Sequence, residues 1–243
     1  MLILWSSALL TVLLVLHLHG QVLFGSGLLT PAIQVAATSL LEGTTPVDWT
    51  GRWEGPEKPQ VWLTELVKKR LALLKWQSSS SRGALLEEPR SLGDLFNPAT
   101  FVNALRQQTA RHLGTAIDRV RMVCMWDSKR GEGLTNFARK FECPLCCQLT
   151  GLLLQGASFS NGSLQESPSD GSEMSITADV MIGFVAKDNK ANPYNSQATM
   201  AVPVYFSASR EEFLVELTMP IADESDAKKW TLAGVSLFLN EGE

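Results

Sequence analysis

No Gly-Lys dipeptide occurs anywhere in these 243 residues. The phosphate loop GxxxxGKS/T, in which backbone N–H groups and a lysine cradle a nucleotide, is therefore missing. HExxH, GxSxG and GxGxxG are also absent. That removes the usual signatures of zinc hydrolases, serine hydrolases and dinucleotide binders. Histidine is scarce, with only His17, His19 and His112. Four cysteines in a sequence this long do not make a disulfide framework, so free thiols in a reducing compartment are expected. Net charge is −4 with no large basic block, which argues against a nucleic-acid surface. No charged side chain precedes Glu42.

What is present is a core. Hydrophobic residues make up 45% and charged residues 19%, which fits a folded protein of one large domain or two small ones. Leu2 to Leu18 is an apolar run that reads as a signal-peptide core or a short membrane anchor. No Lys or Arg precedes it, and Gly25-Ser26-Gly27 is a poor cleavage site. A membrane span needs roughly 20 apolar residues, and this run reaches that only by including His17, His19, Gly20 and Gln21.

The clearest element is Leu92–Leu113. Asn97 can cap a helix whose first position is Pro98. Phe101, Val102, Leu105, Thr109 and Leu113 then recur at helical spacing and predict one buried stripe, with Leu92, Leu95 and Phe96 packing back on it. Pro31–Leu41 predicts a short helix ended by Gly43. Thr44–Pro59 is a turn-rich connector, where Trp49 and Trp53 are expected to cover the core edge. Pro59–Trp76 predicts a helix with Leu63, Val67, Leu71 and Leu74 inward, widened by Leu66 and Leu73. Lys68, Lys69, Arg70 and Lys75 would lie outward. A membrane or calmodulin site is the other reading of such a basic amphipathic helix.

Ala116–Trp126 fits either a strand or a short helix. From Leu149 onward, short apolar runs separated by turn residues predict strands: Leu149–Leu154, Val180–Val185, Met200–Phe206, Phe213–Met219 and Thr231–Leu239. Ser160-Asn161-Gly162-Ser163 predicts a turn. Pro203 must sit at an edge or a bulge. Asp223–Lys229 reads as a charged turn.

Three groups of residues bear on chemistry. Cys143 and Cys146 form a CxxC followed by Cys147. Structural zinc needs four ligands and no second pair exists, so coincidence is the simpler reading over a zinc or redox site. Asn161-Gly162-Ser163 is a glycosylation sequon that matters only in a secreted protein. His112 has no Ser, Cys or carboxylate partner in sequence, and a surface position is expected for it. No catalytic, cofactor-binding or metal residue is nominated, and an enzyme is not expected.

LGDLFNPATFVNALRQQTAR, beginning at Leu92, resembles a helix signature in the C-terminal domain of dynein heavy chains. Around it, in matching order, stand Trp53-Glu54-Gly55-Pro56, Trp62-Leu63, Trp76, Gly151–Ala157, Val202–Tyr205 and Trp230–Leu239. The resemblance spans Ile33 to Asn240 and is strongest to the second cytoplasmic, intraflagellar-transport type. It implies an α+β fold in which an N-terminal helical half packs on a C-terminal antiparallel, barrel-like sheet. The expected division is a leader over 1–30, a helical subdomain over 31–133, a connector over 134–148 and a β-rich subdomain over 149–243.

The resemblance also implies a non-catalytic part of a microtubule motor, in cytoplasm, cytoskeleton and cilium. Its partners would be the ATPase ring and other dynein subunits, with microtubules reached only through the full motor and no cofactor required. In that family a ring precedes this domain, whereas here the apolar leader stands in its place. A truncated or misassigned start is expected first, and a genuine membrane anchor over residues 1–24 second. The contrasting reading is a membrane-anchored or secreted non-enzymatic binding module.

Overall fold

Thr30 starts the first helix by turning its hydroxyl onto the backbone. Its Oγ1 accepts from Ile33 N at 3.3 Å, and Pro31 takes the first helical position, where a missing N–H costs nothing. The computed structural model describes residues 20–22, 24, 26–51, 55–126, 133–167, 173–190, 192–194 and 197–240. Trp53 and most of the leader over residues 1–24 lie outside the described residues. No helix among the described residues is long and apolar enough to cross a membrane. The protein divides into two compact units, Met1–Leu74 and Lys75–Glu243.

In the first unit, helix α1 (Pro31–Leu41) buries Ile33 and Ala36 and leads to Gly43 at φ 76°. Leu41, expected on the buried face, is 90% exposed. A short α2 (Val47–Thr50) precedes α3 (Pro59–Ser81). Trp49 leans on Trp62, ring centroids 5.4 Å apart, and both are buried. That contact accompanies a turn of α3 away from the expected orientation. Trp62, Glu65, Leu66 and Lys69 are buried, whereas Val67, Leu71 and Leu74 are exposed. An indole removes more area from water than any single aliphatic side chain of the stripe, so Trp62 sets the inward face.

In the second unit, α4 (Pro98–His112) begins as its sequence dictates: Asn97 Oδ1 accepts from Thr100 N at 3.0 Å. It buries Val102, Leu105, Thr109 and Ala110. Thr109 is fully buried because its hydroxyl donates to Leu105 O at 2.9 Å. Phe101 meets Trp76 edge-on, centroids 5.1 Å apart, and the Arg90 guanidinium lies 5.3 Å from the centre of the same indole. Leu92 and Leu95 are buried upstream. The stretch expected to be a connector instead holds a helix, α5 (Leu134–Phe141), because Phe137 and Phe141 bury one face of it.

Eleven strands occur among the described residues: β1 (Arg90–Ser91), β2 (Val120–Trp126), β3 (Cys146–Thr150), β4 (Leu152–Gln155), β5 (Ser158–Ser160), β6 (Ser163–Gln165), β7 (Ser175–Ile176), β8 (Val180–Ala186), β9 (Thr199–Tyr205), β10 (Phe213–Pro220) and β11 (Ser236–Leu239). One sheet has the order β1-β3-β8-β2 and another the order β10-β9-β11-β4-β7, while β5 and β6 form a hairpin. Helix α4 lies against β8, β2 and β10. The fold is mixed α+β with several sheets. Neither of the larger sheets closes on itself among the described residues, so the barrel implied by resemblance is not observed.

Nor is the sheet wholly antiparallel, since β1 pairs with β3 and β11 with β9 in parallel. Parallel neighbours need a crossover, and helix α6 (Asp226–Leu232) lies on the connection between β10 and β11. Thr231 and Leu232, expected to begin a strand, therefore end a helix instead. Trp230 turns inward, Leu232 stays exposed, and Gly234 at φ 68° stops the helix. Asp223–Lys229 is accordingly the approach to α6 and its first turn rather than a plain turn.

Gly151, at φ 71°, breaks the expected Leu149–Leu154 strand into the ends of β3 and β4, which belong to different sheets. Pro203 pairs across to Glu216 of β10, while β11 reaches only Val204 and Tyr205, so Pro203 stands on a free stretch of edge. Asn161 and Gly162 join β5 to β6 with φ values of 52° and 77°, the positive pair that an Asn-Gly hairpin turn requires.

Candidate functional site

Strand alternation sorts the cysteines. Cys146 and Cys147 are neighbours on β3 and must point to opposite faces. Cys146 joins Cys143, Phe137, Phe141, Met181 and Val185 in one buried cluster that does not include Cys147. Helix α5 covers that cluster. Its Phe137 and Phe141, one turn apart, meet edge-on at 5.0 Å and are almost completely buried. Asn189 Nδ2 donates to Phe141 O at 3.1 Å and closes the end of the helix. The three thiols of the CxxC region are thus a pair and an outlier. Among the described residues, no three His, Cys, Asp or Glu side chains converge to hold a metal.

The two remaining thiols are insulated. Burial pushes Cys147 up to about 12, with the nearby Cys146 adding to the shift. Burial likewise pushes Cys124 up to about 11, opposed by hydrogen bonds with the Thr218 backbone. Cys124 forms part of a pocket of about 330 Å³ whose lining also includes Arg121, Lys190, Tyr194 and Thr218. Tyr194 Oη donates to Thr218 O at 3.2 Å, and burial pushes its phenol far above the usual range. Arg121 donates to Asn189 O at 2.7 Å. Both the thiol and the phenol stay protonated at neutral pH, so the pair supplies neither an activated nucleophile nor a base. Sequence reasoning missed this pocket, because it joins residues 94 positions apart, Cys124 and Thr218.

His112 sits exposed in the last turn of α4, as expected. Asn161 is exposed at its hairpin tip. Exposed large hydrophobic side chains gather in the first unit among the described residues. Ten of the fifteen large hydrophobic residues exposed among the described residues lie between Phe24 and Leu74. On α3 they form a row, with Val67, Leu71 and Leu74 each about half exposed at i, i+4 and i+7. On α1, Val35 and Leu41 are exposed as well. Val67, Leu71 and Leu74 thus leave one apolar stripe of α3 outward among the described residues.

A family model for the C-terminal domain of dynein heavy chains matches residues 7–239. The protein belongs to that family. Cytoplasmic dynein 2 heavy chain 1 of Homo sapiens is 34% identical over 220 residues, covering 90% of this sequence and 5% of the relative. The protein of the same name from Chlamydomonas reinhardtii is 30% identical over 229 residues, covering 91% and 5%. A cytoplasmic dynein heavy chain of Dictyostelium discoideum is 25% identical over 214 residues, covering 86% and 4%. The dynein C-terminal domain described here therefore spans about 5% of the length of its dynein 2 relatives. The motifs behind the resemblance are spread through both units, from Trp62 on α3 to Phe238 on β11.

Proposed function

We propose that this domain is a non-catalytic packing element of a dynein 2 heavy chain. It docks through the apolar row of α3 and the exposed face of α1 onto the ATPase ring of that motor and tunes the ring's movement. The motor so tuned would serve retrograde intraflagellar transport and cilium assembly, and microtubules would be met only by the whole motor. The observation that carries the proposal is the exposed row Val67, Leu71 and Leu74 on a helix that already buries Trp62 and Leu66. Burying three such side chains would contribute roughly 1 kcal/mol or more each, given their half-exposed state. A ring that offered a better fit in one nucleotide state than another would have its equilibrium biased by that difference.

The test is complementation in trans. A dynein 2 motor lacking its C-terminal segment is mixed with this protein, wild type or Leu71→Glu/Leu74→Glu. Wild type is expected to co-purify with the motor and alter its microtubule gliding speed, while the variant should do neither. The domain alone should show no ATP hydrolysis. Equal association of both forms would remove the docking face from consideration.

The exposed Asn161 favours the secreted-module reading at one point only. Glycan on Asn161 of the native protein, with a processed N-terminus, would support that reading over this one.

A further inference from the structure

The Cys143–Cys146 pair has no part in the docking role. We propose that Cys143 and Cys146 form a dithiol that a hydroperoxide oxidises to a disulfide at the junction of α5 and β3. All four cysteines are free and buried, yet only these two share a space. That space exists because position 183 of β8 is glycine. A Cβ there would collide with Cys143 Sγ and stand 3.1 Å from Cys146 Cβ and 3.0 Å from Leu145 O. The two-residue spacer Pro144-Leu145 folds back so that Leu145 O accepts from Cys143 Sγ at 3.1 Å. Cys143 N donates to Ala138 O at 2.9 Å, anchoring the first thiol to the last turn of α5. Cys146 Sγ reaches the start of the same helix, 3.9 Å from Leu134 O.

The two sulfurs are chemically unequal. The Cys143 S–H points to Leu145 O at 3.1 Å and Phe184 O at 3.3 Å; the two neighbouring thiols influence one another, so that Cys143 lowers the pKa of Cys146, while Cys146 and burial raise that of Cys143. Two carbonyls hold the Cys143 proton closely, whereas Cys146 Sγ has only the 3.9 Å contact with Leu134 O, so Cys146 is the attacking sulfur and Cys143 the resolving one. In the first step the Cys146 thiolate attacks one peroxide oxygen. The O–O bond breaks, Cys146 becomes a sulfenic acid, and the departing hydroxide or alkoxide takes up a proton. In the second step Cys143 sulfur attacks Cys146 sulfur, the S–OH bond breaks, and the Cys143 proton leaves with the hydroxyl as water. The two thiols together lose two electrons and the peroxide gains them.

Burial sets the rate. The eight-residue α5 covers the pair and must lift before peroxide enters, so oxidation proceeds through local opening rather than from the closed state. Cys124 and Cys147 serve as internal comparators. Neither belongs to the cluster that Phe137 and Phe141 of α5 cover, and burial holds both pKa values up.

The experiment treats the 243-residue protein, fully reduced and folded, with hydrogen peroxide. Free thiols are then counted, the intact mass is measured, and a non-reducing digest is mapped. Two of the four thiols should disappear, the mass should fall by two hydrogens, and one peptide should carry a Cys143–Cys146 bond that dithiothreitol reverses. Cys143→Ser should stop at a Cys146 sulfenic acid, trapped as a dimedone adduct. Should that variant fail to fold, the wild-type peptide map decides alone. Retention of all four thiols, oxidation spread equally to Cys124 and Cys147, or sulfinic acid without a cross-link would each overturn the proposal.

Discussion

The indole N–H of Trp126, at the end of β2, donates to Thr218 O of β10 at 2.8 Å. These strands belong to different sheets, so this bond ties the two larger sheets together. The same carbonyl accepts from Tyr194 Oη and from Cys124 Sγ, while Thr218 N donates to Cys124 Sγ at 3.1 Å. A single backbone position is thus the meeting point of three side chains from two segments. Trp126→Phe keeps the ring contact with Phe159 but deletes the donor. The carbonyl retains its other two partners, so the expected loss is about 1 kcal/mol rather than the larger cost of an orphaned acceptor. Urea unfolding followed by far-UV circular dichroism measures it.

Gly183→Ala is expected to destabilise the protein by about 1–3 kcal/mol, since an added methyl overpacks a closed site. The collision is with Cys143 Sγ, so Cys143→Ala in the same protein should recover a measurable part of the loss. Equal stability of the single and double variants in a thermal melt would show that the thiol is not the obstacle.

Asn97→Ala should cost about 1 kcal/mol, because the Thr100 N–H then loses its capping acceptor. Asn97→Ser should restore most of it. Both are read from chemical denaturation midpoints, with unchanged denaturant dependence showing that the folded state is the same.

Acid should weaken the anchorage of Arg90. The Ser79 hydroxyl, donating at 2.8 Å, is the largest influence lowering the Glu88 pKa below its ordinary 4.5; desolvation opposes it, and Arg90 and Arg82 add to it. A carboxylate with a depressed pKa in the folded state stabilises fully above its unfolded value. That contribution is lost as pH falls below about 4.5 and through the lower folded value. Arg90 is buried while Glu88 is half exposed, so the loss is felt at the guanidinium over Trp76. Stability measured between pH 6 and pH 3 should fall less steeply in Glu88→Gln than in wild type.

Local rules in the sequence determined a definite share of this protein. Asn97 and Pro98 place the start of α4, Thr30 and Pro31 the start of α1, and Asn161-Gly162 the hairpin turn. Each depends on groups within three or four residues, so no distant contact is needed to specify it. The order of motifs sufficed to indicate the family.

Three outcomes were decided by tertiary structure. Periodicity turns Leu63, Val67, Leu71 and Leu74 inward, yet Trp62 leaning against Trp49 rotates the helix and leaves the last three exposed. Periodicity measures that a stripe exists, whereas the direction it faces depends on which neighbour buries more area. Thr231–Leu239 reads as one strand, but burial of Trp230 and the crossover to a parallel β11 make its first residues helical. Cys143 and Cys146 become a pair, apart from Cys147, only because Gly183 of a strand distant in sequence leaves them room. Contacts across such separations are chosen by the packing of the whole domain, and no local pattern encodes them.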